Sequence, residues 1–295
     1  MTSPASNSLG IRAMVASQAC FSLSDVMVKL AAASMEPGQI MALRGVFGTT
    51  IVVALVFATG AAPHWRALGQ PLVLLRAAIE GTITVLFVNA IARMPIGVYT
   101  AIFLSSPLVI TAFAAVFLGT PVGWRRWLAV AAGFCGVLLV AKPSAAGLDP
   151  AAWLAAGVAA GVAVRDLVTR ALPAHVPSMI VTLATALAST GIGFALAAGG
   201  GPMPMPEAPV VLALAAAAAG VSLANFLVIL SMRSGDISVV SPFRYSIMPF
   251  ALIWGWLVWG AVPDVAAAAG IALIVGSGLY AVHRERWLRQ RLAAA

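Results

Sequence analysis

From Ile11 to His283 the sequence runs through ten apolar stretches, each close to the ~20 residues an α-helix needs to cross a bilayer. They cover residues 11–31, 39–60, 71–92, 97–118, 124–141, 150–171, 177–198, 208–230, 237–259 and 264–283. The breaks between them carry turn chemistry: Pro37-Gly38, Ala62-Pro63, Pro95, Pro121, Lys142-Pro143, Pro173 to Pro177, Gly199 to Pro206, Ser234-Gly235 and Pro263. Charged residues make up only 9% of the chain, against about 25% in a soluble domain. Too few polar side chains remain to cover a water-facing surface. The expected fold class is therefore an all-α polytopic membrane protein with ten transmembrane helices. The first stretch is interrupted by Asp25 and Lys29 and lacks a small-residue cleavage site, so it is expected to stay as a span rather than be removed as a signal peptide.

The net charge is +8, but its distribution excludes a nucleic-acid surface. One set of loops and ends holds Arg12, Arg66, Arg125, Arg126, Arg170, Arg233, Arg284, Arg286, Arg289 and Arg291. The other holds Arg93 and Lys142 together with Glu36, Asp149, Glu207 and Asp264. Ten basic residues against two place the first set, and both termini, in the cytoplasm. The tail RERWLRQR is expected to lie against anionic lipid head groups.

The chain also repeats itself. Ser-Asp-Val-Met-Val-Lys at 24–29 falls on Arg-Asp-Leu-Val-Thr-Arg at 165–170, so Asp25 matches Asp166 and Lys29 matches Arg170. Pro37 likewise matches Pro177, and Arg93 matches Arg233. This divides the chain into repeats at 1–145 and 146–295. Five spans per repeat is an odd number, so the second repeat enters the membrane from the opposite side. Inverted repeats of this kind give two nearly equivalent conformations, each open to one side, with substrate held near the midplane. The symmetry favours a transporter over an enzyme, a receptor or a structural membrane protein.

The residues that follow this pattern resemble the drug/metabolite transporter superfamily, in its EamA-type branch of ten-helix carriers. The resemblance is carried by Asp25-Val26-Met27 with Lys29, Gln39-Ile40 to Arg44, Leu75-Arg76, Met94-Pro95, Ser106-Pro107, Lys142-Pro143 and Pro242-Phe243-Arg244-Tyr245. The last of these, with the first, is similar to the S-adenosylmethionine and riboflavin uptake branch; the superfamily also holds amino-acid and drug exporters. The sequence departs from the family where an acidic residue often follows the Gly or Asn closing spans 4 and 9: it reads Leu118-Gly119-Thr120 and Trp259-Gly260-Ala261. The resemblance implies a carrier in a bacterial inner membrane, moving a small organic metabolite by alternating access.

A charge at the bilayer centre costs about 3 kcal/mol on insertion scales, so each charged residue within a span needs an interior partner or an interface. Asp25 with Lys29, and Asp166 with Arg170, stand four apart on one helix face and are expected to close locally as gating pairs at opposite ends of the molecule. Arg76 and Glu80 have the same spacing, and Glu80 is also a candidate to bind a substrate amine or take a proton. Arg244 lies between Pro242 and Pro249, whose missing amide donors bend a helix and free carbonyls. Its guanidinium suits a carboxylate or phosphate, gripped by two parallel hydrogen bonds. Tyr245, Arg44, Tyr99 and Asn89 complete the candidate substrate-binding set.

No nucleotide-binding glycine loop is present. His64, His175 and His283 fall at loops or span ends, and Cys20 and Cys135 lie far apart, so neither metal nor cofactor is expected. The expected partners are a small-molecule solute and membrane lipids, with the chain a monomer or homodimer. An intramembrane enzyme acting on lipid-linked substrates, the competing class, needs acids and histidines clustered at one face, which the sequence lacks.

Overall fold

The computed structural model describes residues 4–294 except 118, 120–122, 144–148, 174, 200–205 and 235–236. Regular structure among the described residues is entirely helical. In order it consists of α1 (Pro4–Ala31), α2 (Pro37–Ala58), a 3₁₀ segment (Ala62–Gly69), α3 (Pro71–Arg93), α4 (Ile96–Phe103), α5 (Ser106–Phe117) and α6 (Trp124–Ala141). The second repeat follows with α7 (Pro150–Arg170), α8 (Ser178–Gly199), α9 (Ala208–Ser234), α10 (Ile237–Val240), a 3₁₀ segment (Ser241–Ser246), α11 (Ile247–Trp259) and α12 (Val265–Ala294). Among the described residues, helices lie over each of the ten expected stretches. α1 begins seven residues before its apolar stretch and α12 runs on through the tail, because the hydrogen-bond ladder continues where hydropathy ends.

Eight stretches are long and apolar enough to cross a membrane by length and composition. The other two are α1, which carries Arg12, Gln18, Asp25 and Lys29, and the ninth span, which is interrupted. Spans 4 and 9 break at matching places. Pro107 has no amide to give the carbonyl of Phe103, the last residue of α4, and Pro249 has none for Tyr245, near the end of its 3₁₀ segment. In each case the ladder fails four residues before a proline. Span 9, where two prolines are expected to disturb the helix, is interrupted, and span 4 is interrupted as well.

The chain forms two compact units, each drawing on both repeats. One comprises Leu23–Arg93 and Ala160–Ser222. Here α2 and α8 pack antiparallel through small residues. A Cβ built on Gly193 would lie 2.5 Å from the Ala42 nitrogen, and one on Gly38 would lie 2.7 Å from the Ala197 nitrogen, so the two backbones nearly touch. Thr49 and Thr190, 141 residues apart, meet hydroxyl to hydroxyl at 3.1 Å. That is the shift that aligns Asp25 with Asp166 in the sequence, so the two threonines stand at matching positions of α2 and α8. Val73, Ala77, Val176, Val181 and Ala184 form a core beside them.

The second unit comprises Met1–Ser22, Met94–Ala159 and Leu223–Ala295. Its centre is α6 against α12, where Gly136 and Gly270 face each other. A Cβ on either would come within 2.7 Å or 2.6 Å of the other's carbonyl oxygen. Leu108 of α5 fills the notch at Gly133, and Gly97 of α4 receives Leu252 of α11.

At one end of α6 and α12, Lys142 forms an ion pair with Asp264. Lys142 ends α6 in the left-handed conformation at φ 48°, and Asp264 caps α12 by accepting the Ala267 amide at 2.9 Å. The Lys142 hydrogen bond, with the Ala267 amide, holds the Asp264 carboxyl below its ordinary value of 3.8. A lowered carboxylate adds stability that is complete above the ordinary range and disappears as pH falls through the folded-state value. Asp264→Asn should therefore melt below wild type at pH 7, with the gap closing as the pH drops below about 4. Detergent-phase thermal unfolding across that range checks this; a gap that stays constant contradicts it.

Candidate functional site

The charged residues of the first unit gather at its two ends. At the end marked by Arg66 and Arg170, α3 starts at Pro71, α7 finishes at Arg170 and α8 starts at Ser178. Arg76 lies five residues into α3 and Glu80 nine, about 7 and 14 Å along the axis at 1.5 Å per residue. Arg165 is five residues from the end of α7.

These positions let one guanidinium serve two carboxylates. Arg165 donates through Nη1 to Glu80 Oε2 at 3.1 Å and through Nη2 to Asp166 Oδ1 at 2.8 Å, with Nε also on Asp166 at 3.0 Å. Arg165 and Glu80 are only 23% and 20% exposed, so the pair is largely removed from solvent. Arg76 donates from Nε to the Thr169 hydroxyl at 3.0 Å and from Nη1 to the Thr185 hydroxyl at 2.6 Å. Two acids, two arginines and two threonines thus bind α3, α7 and α8 into one neutral cluster.

The helix spacing pointed to Arg76 with Glu80 and Asp166 with Arg170. The structure pairs Glu80 with Arg165 rather than Arg76, and Arg165 also bonds Asp166; the expected Asp166–Arg170 pair falls outside the described residues. The physical reason is reach: Arg165 lies across from Glu80 and next to Asp166, whereas Arg76 is drawn across to two threonine hydroxyls. The Arg170 side chain lies outside the described residues, as do those of Arg233 and the basic tail. Arg165 falls within the sixth apolar stretch but is absent from the expected site set. Its signal was position, since it stands 141 residues after Ser24, beside the repeated aspartate.

At the opposite end of the same unit stand Asp25, Lys29 and Arg44. The Lys29 ammonium donates to the Ile91 carbonyl of α3 at 2.7 Å. The Arg44 charge on α2 bears on the half-buried Asp25 carboxylate, and the Arg44 guanidinium lies 5.8 Å from the centre of the Phe87 ring. Arg44 stands 141 residues before Thr185, the hydroxyl that receives Arg76. Equivalent places in the two repeats thus serve charge clusters at opposite ends. Asn89 turns back on its own helix and donates to Val85 at 2.9 Å.

In the second unit the break in span 9 sets two neighbours apart. Arg244 is exposed on its 3₁₀ segment, while Tyr245 is 6% exposed, with its hydroxyl against Gly278 of α12. Tyr245 anchors the segment that presents Arg244. Tyr99 of α4 is buried and stacks on Phe103 at 6.1 Å.

Chemically, the contacts of the Arg165 cluster can exchange partners. A substrate amine can take the place of Arg165 on Glu80, a substrate carboxylate can take the place of Glu80 on Arg165, and a proton on either acid weakens its hold on the guanidinium. Among the described residues no group of three or more His, Cys, Asp or Glu is placed to hold a metal ion.

Residues 8–142 match the model of the EamA-like transporter family. Curated relatives include the riboflavin transporter of Rhizobium johnstonii, 27% identical over 75% of this chain and 71% of that protein. The pseudopaline exporter of Pseudomonas aeruginosa is 26% identical over 90% of this chain and 93% of its own length. The S-adenosylmethionine uptake transporter of Rickettsia bellii is 21% identical over 95% of each chain. A solved crystal structure covers 94% of this chain and 98% of that one, with a TM-score of 0.63 at 21% identity, and shares the fold.

Proposed function

We propose that this chain, whose residues 8–142 match the model of the EamA-like transporter family, is a secondary carrier that moves a small amphipathic metabolite bearing an anionic group by alternating access. The observation that carries this reading is the pair of matched breaks in spans 4 and 9. Interrupted helices at corresponding places of two inverted repeats supply the unpaired backbone groups and exposed side chains from which carriers build a midplane site. The relatives named riboflavin transporter, pseudopaline exporter and S-adenosylmethionine uptake transporter support a metabolite as cargo. They include uptake carriers and an exporter, so direction follows whichever gradient is coupled. Charge sorting supports a multi-pass protein of the bacterial inner membrane with both termini cytoplasmic.

In this reading Arg244 is the substrate's anion contact, presented by the 3₁₀ segment that Tyr245 anchors. Tyr99 is a further candidate contact in the same unit, and Arg44 and Asn89 are candidate contacts in the other. Glu80 and Arg76 belong to the exchange cluster on the cytoplasmic side, with Asp166, and with Arg170 at the end of its helix. Asp25 and Lys29 close the outer side.

The test is counterflow in liposomes holding the purified carrier, with riboflavin, S-adenosylmethionine and acidic or zwitterionic metabolites as a panel. Saturable exchange of at least one member is expected, and flux without saturation or counterflow marks a channel. With the best substrate, Arg244→Lys should raise the half-saturation concentration about tenfold or more while leaving the maximal rate largely intact, as loss of a bidentate charged contact requires. Unchanged kinetics remove Arg244 from the site.

A further inference from the structure

A groove of about 440 Å³ runs along the outside of the α6–α12 pair, away from every residue assigned above. Its floor is apolar, built by Leu128, Ala132, Leu273 and Gly276, and one end is closed by Trp124 and Arg125. Trp124 and Arg125 are exposed, and the Arg125 guanidinium stacks 5.3 Å from the centre of the Trp124 ring. The same end is the N-terminus of α6, an 18-residue helix whose N-cap, Gly123, has no side chain to cap its first turn. The neighbouring Arg126 is occupied differently, donating to the Thr111 hydroxyl at 3.2 Å. Over Gly276 the space is open: an added Cβ would meet nothing within 4 Å.

We propose that this groove binds one anionic phospholipid of the cytoplasmic leaflet. The phosphate lies over the α6 N-terminus and Arg125, and an acyl chain lies along the trough past Leu128 and Gly276. Three features coincide to support this occupant. A helix start offers free amides and a positive dipole end to a phosphate. Arg125 adds a cation at the same point, at the depth where tryptophan anchors a chain to the interface. Below them the wall is mostly apolar from Leu128 to Ala132 on α6 and from Ala272 to Gly276 on α12, where the upper part of an acyl chain would lie. A second copy of the chain satisfies the trough but leaves the cation and the uncapped helix end without an anion. Charge complementarity therefore selects the lipid.

Native mass spectrometry of the detergent-purified protein tests this without reference to transport. The protein is titrated separately with phosphatidylglycerol, with phosphatidylcholine of the same acyl chains, and with inorganic phosphate. One phosphatidylglycerol should bind about fivefold or more tightly than phosphatidylcholine, the preference expected of one arginine at a membrane surface. Inorganic phosphate should bind far more weakly than either lipid. Arg125→Gln should abolish the preference, and Gly276→Leu should reduce binding of both lipids while the protein still elutes as a single species. The proposal is overturned by equal binding of the two lipids in wild type, by a preference that survives Arg125→Gln, or by phosphate binding as tightly as lipid. A dimer that Gly276→Leu dissociates, with no lipid preference, assigns the groove to a second copy.

Discussion

Arg165→Gln should lower stability by about 3 kcal/mol and affect the protein more than any other single charge removal. The side chain is the shared cation of Glu80 and Asp166, so its loss leaves two carboxylates facing each other in a largely enclosed site. Glu80→Gln should be milder, because Arg165 keeps its two bonds to Asp166. The double variant Glu80→Gln with Arg165→Gln should melt above Arg165→Gln alone, since it removes one of the stranded charges. Thermal unfolding of the four proteins in detergent closes a mutant cycle whose coupling isolates the Glu80–Arg165 contact. Melting of Arg165→Gln at the wild-type temperature would show that the cluster contributes nothing to the fold. Counterflow on the same proteins separates the second role. If Glu80 exchanges partners during transport, Glu80→Gln slows exchange by more than its small stability loss explains.

Gly193→Leu should prevent α2 and α8 from closing, with little monodisperse protein recovered. At this position even a Cβ would fall 2.5 Å from the Ala42 nitrogen and 2.8 Å from the Met41 carbonyl carbon, and backbone cannot swing aside as a side-chain end does. Overpacking a well-filled site costs about 1–3 kcal/mol and more where the obstacle is rigid. Gly191→Leu is the matched control. It lies on the same helix with nothing within 4 Å of an added Cβ, and it should elute as wild type. Fluorescence-detected size-exclusion chromatography of the two distinguishes a contact effect from a general intolerance of leucine in α8. Equal elution of both would contradict the close backbone approach.

Length and apolarity specified all ten spans, because a bilayer imposes nearly the same requirement on each of them. The break in span 9 was legible from Pro242 and Pro249. The one in span 4 was hidden behind a single Pro107, which many membrane helices absorb by a mild bend. Side-chain partners within the site were less legible. Spacing along one helix proposes neighbours four residues apart, yet the Glu80–Arg165 contact spans 85 residues and the Arg76–Thr185 contact 109. Such pairs follow from which helices become neighbours, and a 3.6-residue period does not encode that. The repeat shift carries part of the missing information, since it aligns Arg44 with Thr185 and so relates residues of the two charge clusters.

The meeting of Thr49 with Thr190 bears on the ancestry of the chain. A residue touching its own equivalent across a twofold is what one five-helix chain would make if two copies met, one inserted in each orientation. In such a pair every substitution appears twice, so a lone arginine or glutamate is unavailable. Fusing the copies into one chain lifts that restriction. The threonine contact has kept the old self-complementarity, while Arg44 and Thr185, or Glu80 and Val221, have taken separate courses. A single chain thus has room for charge chemistry that a symmetric pair could not hold.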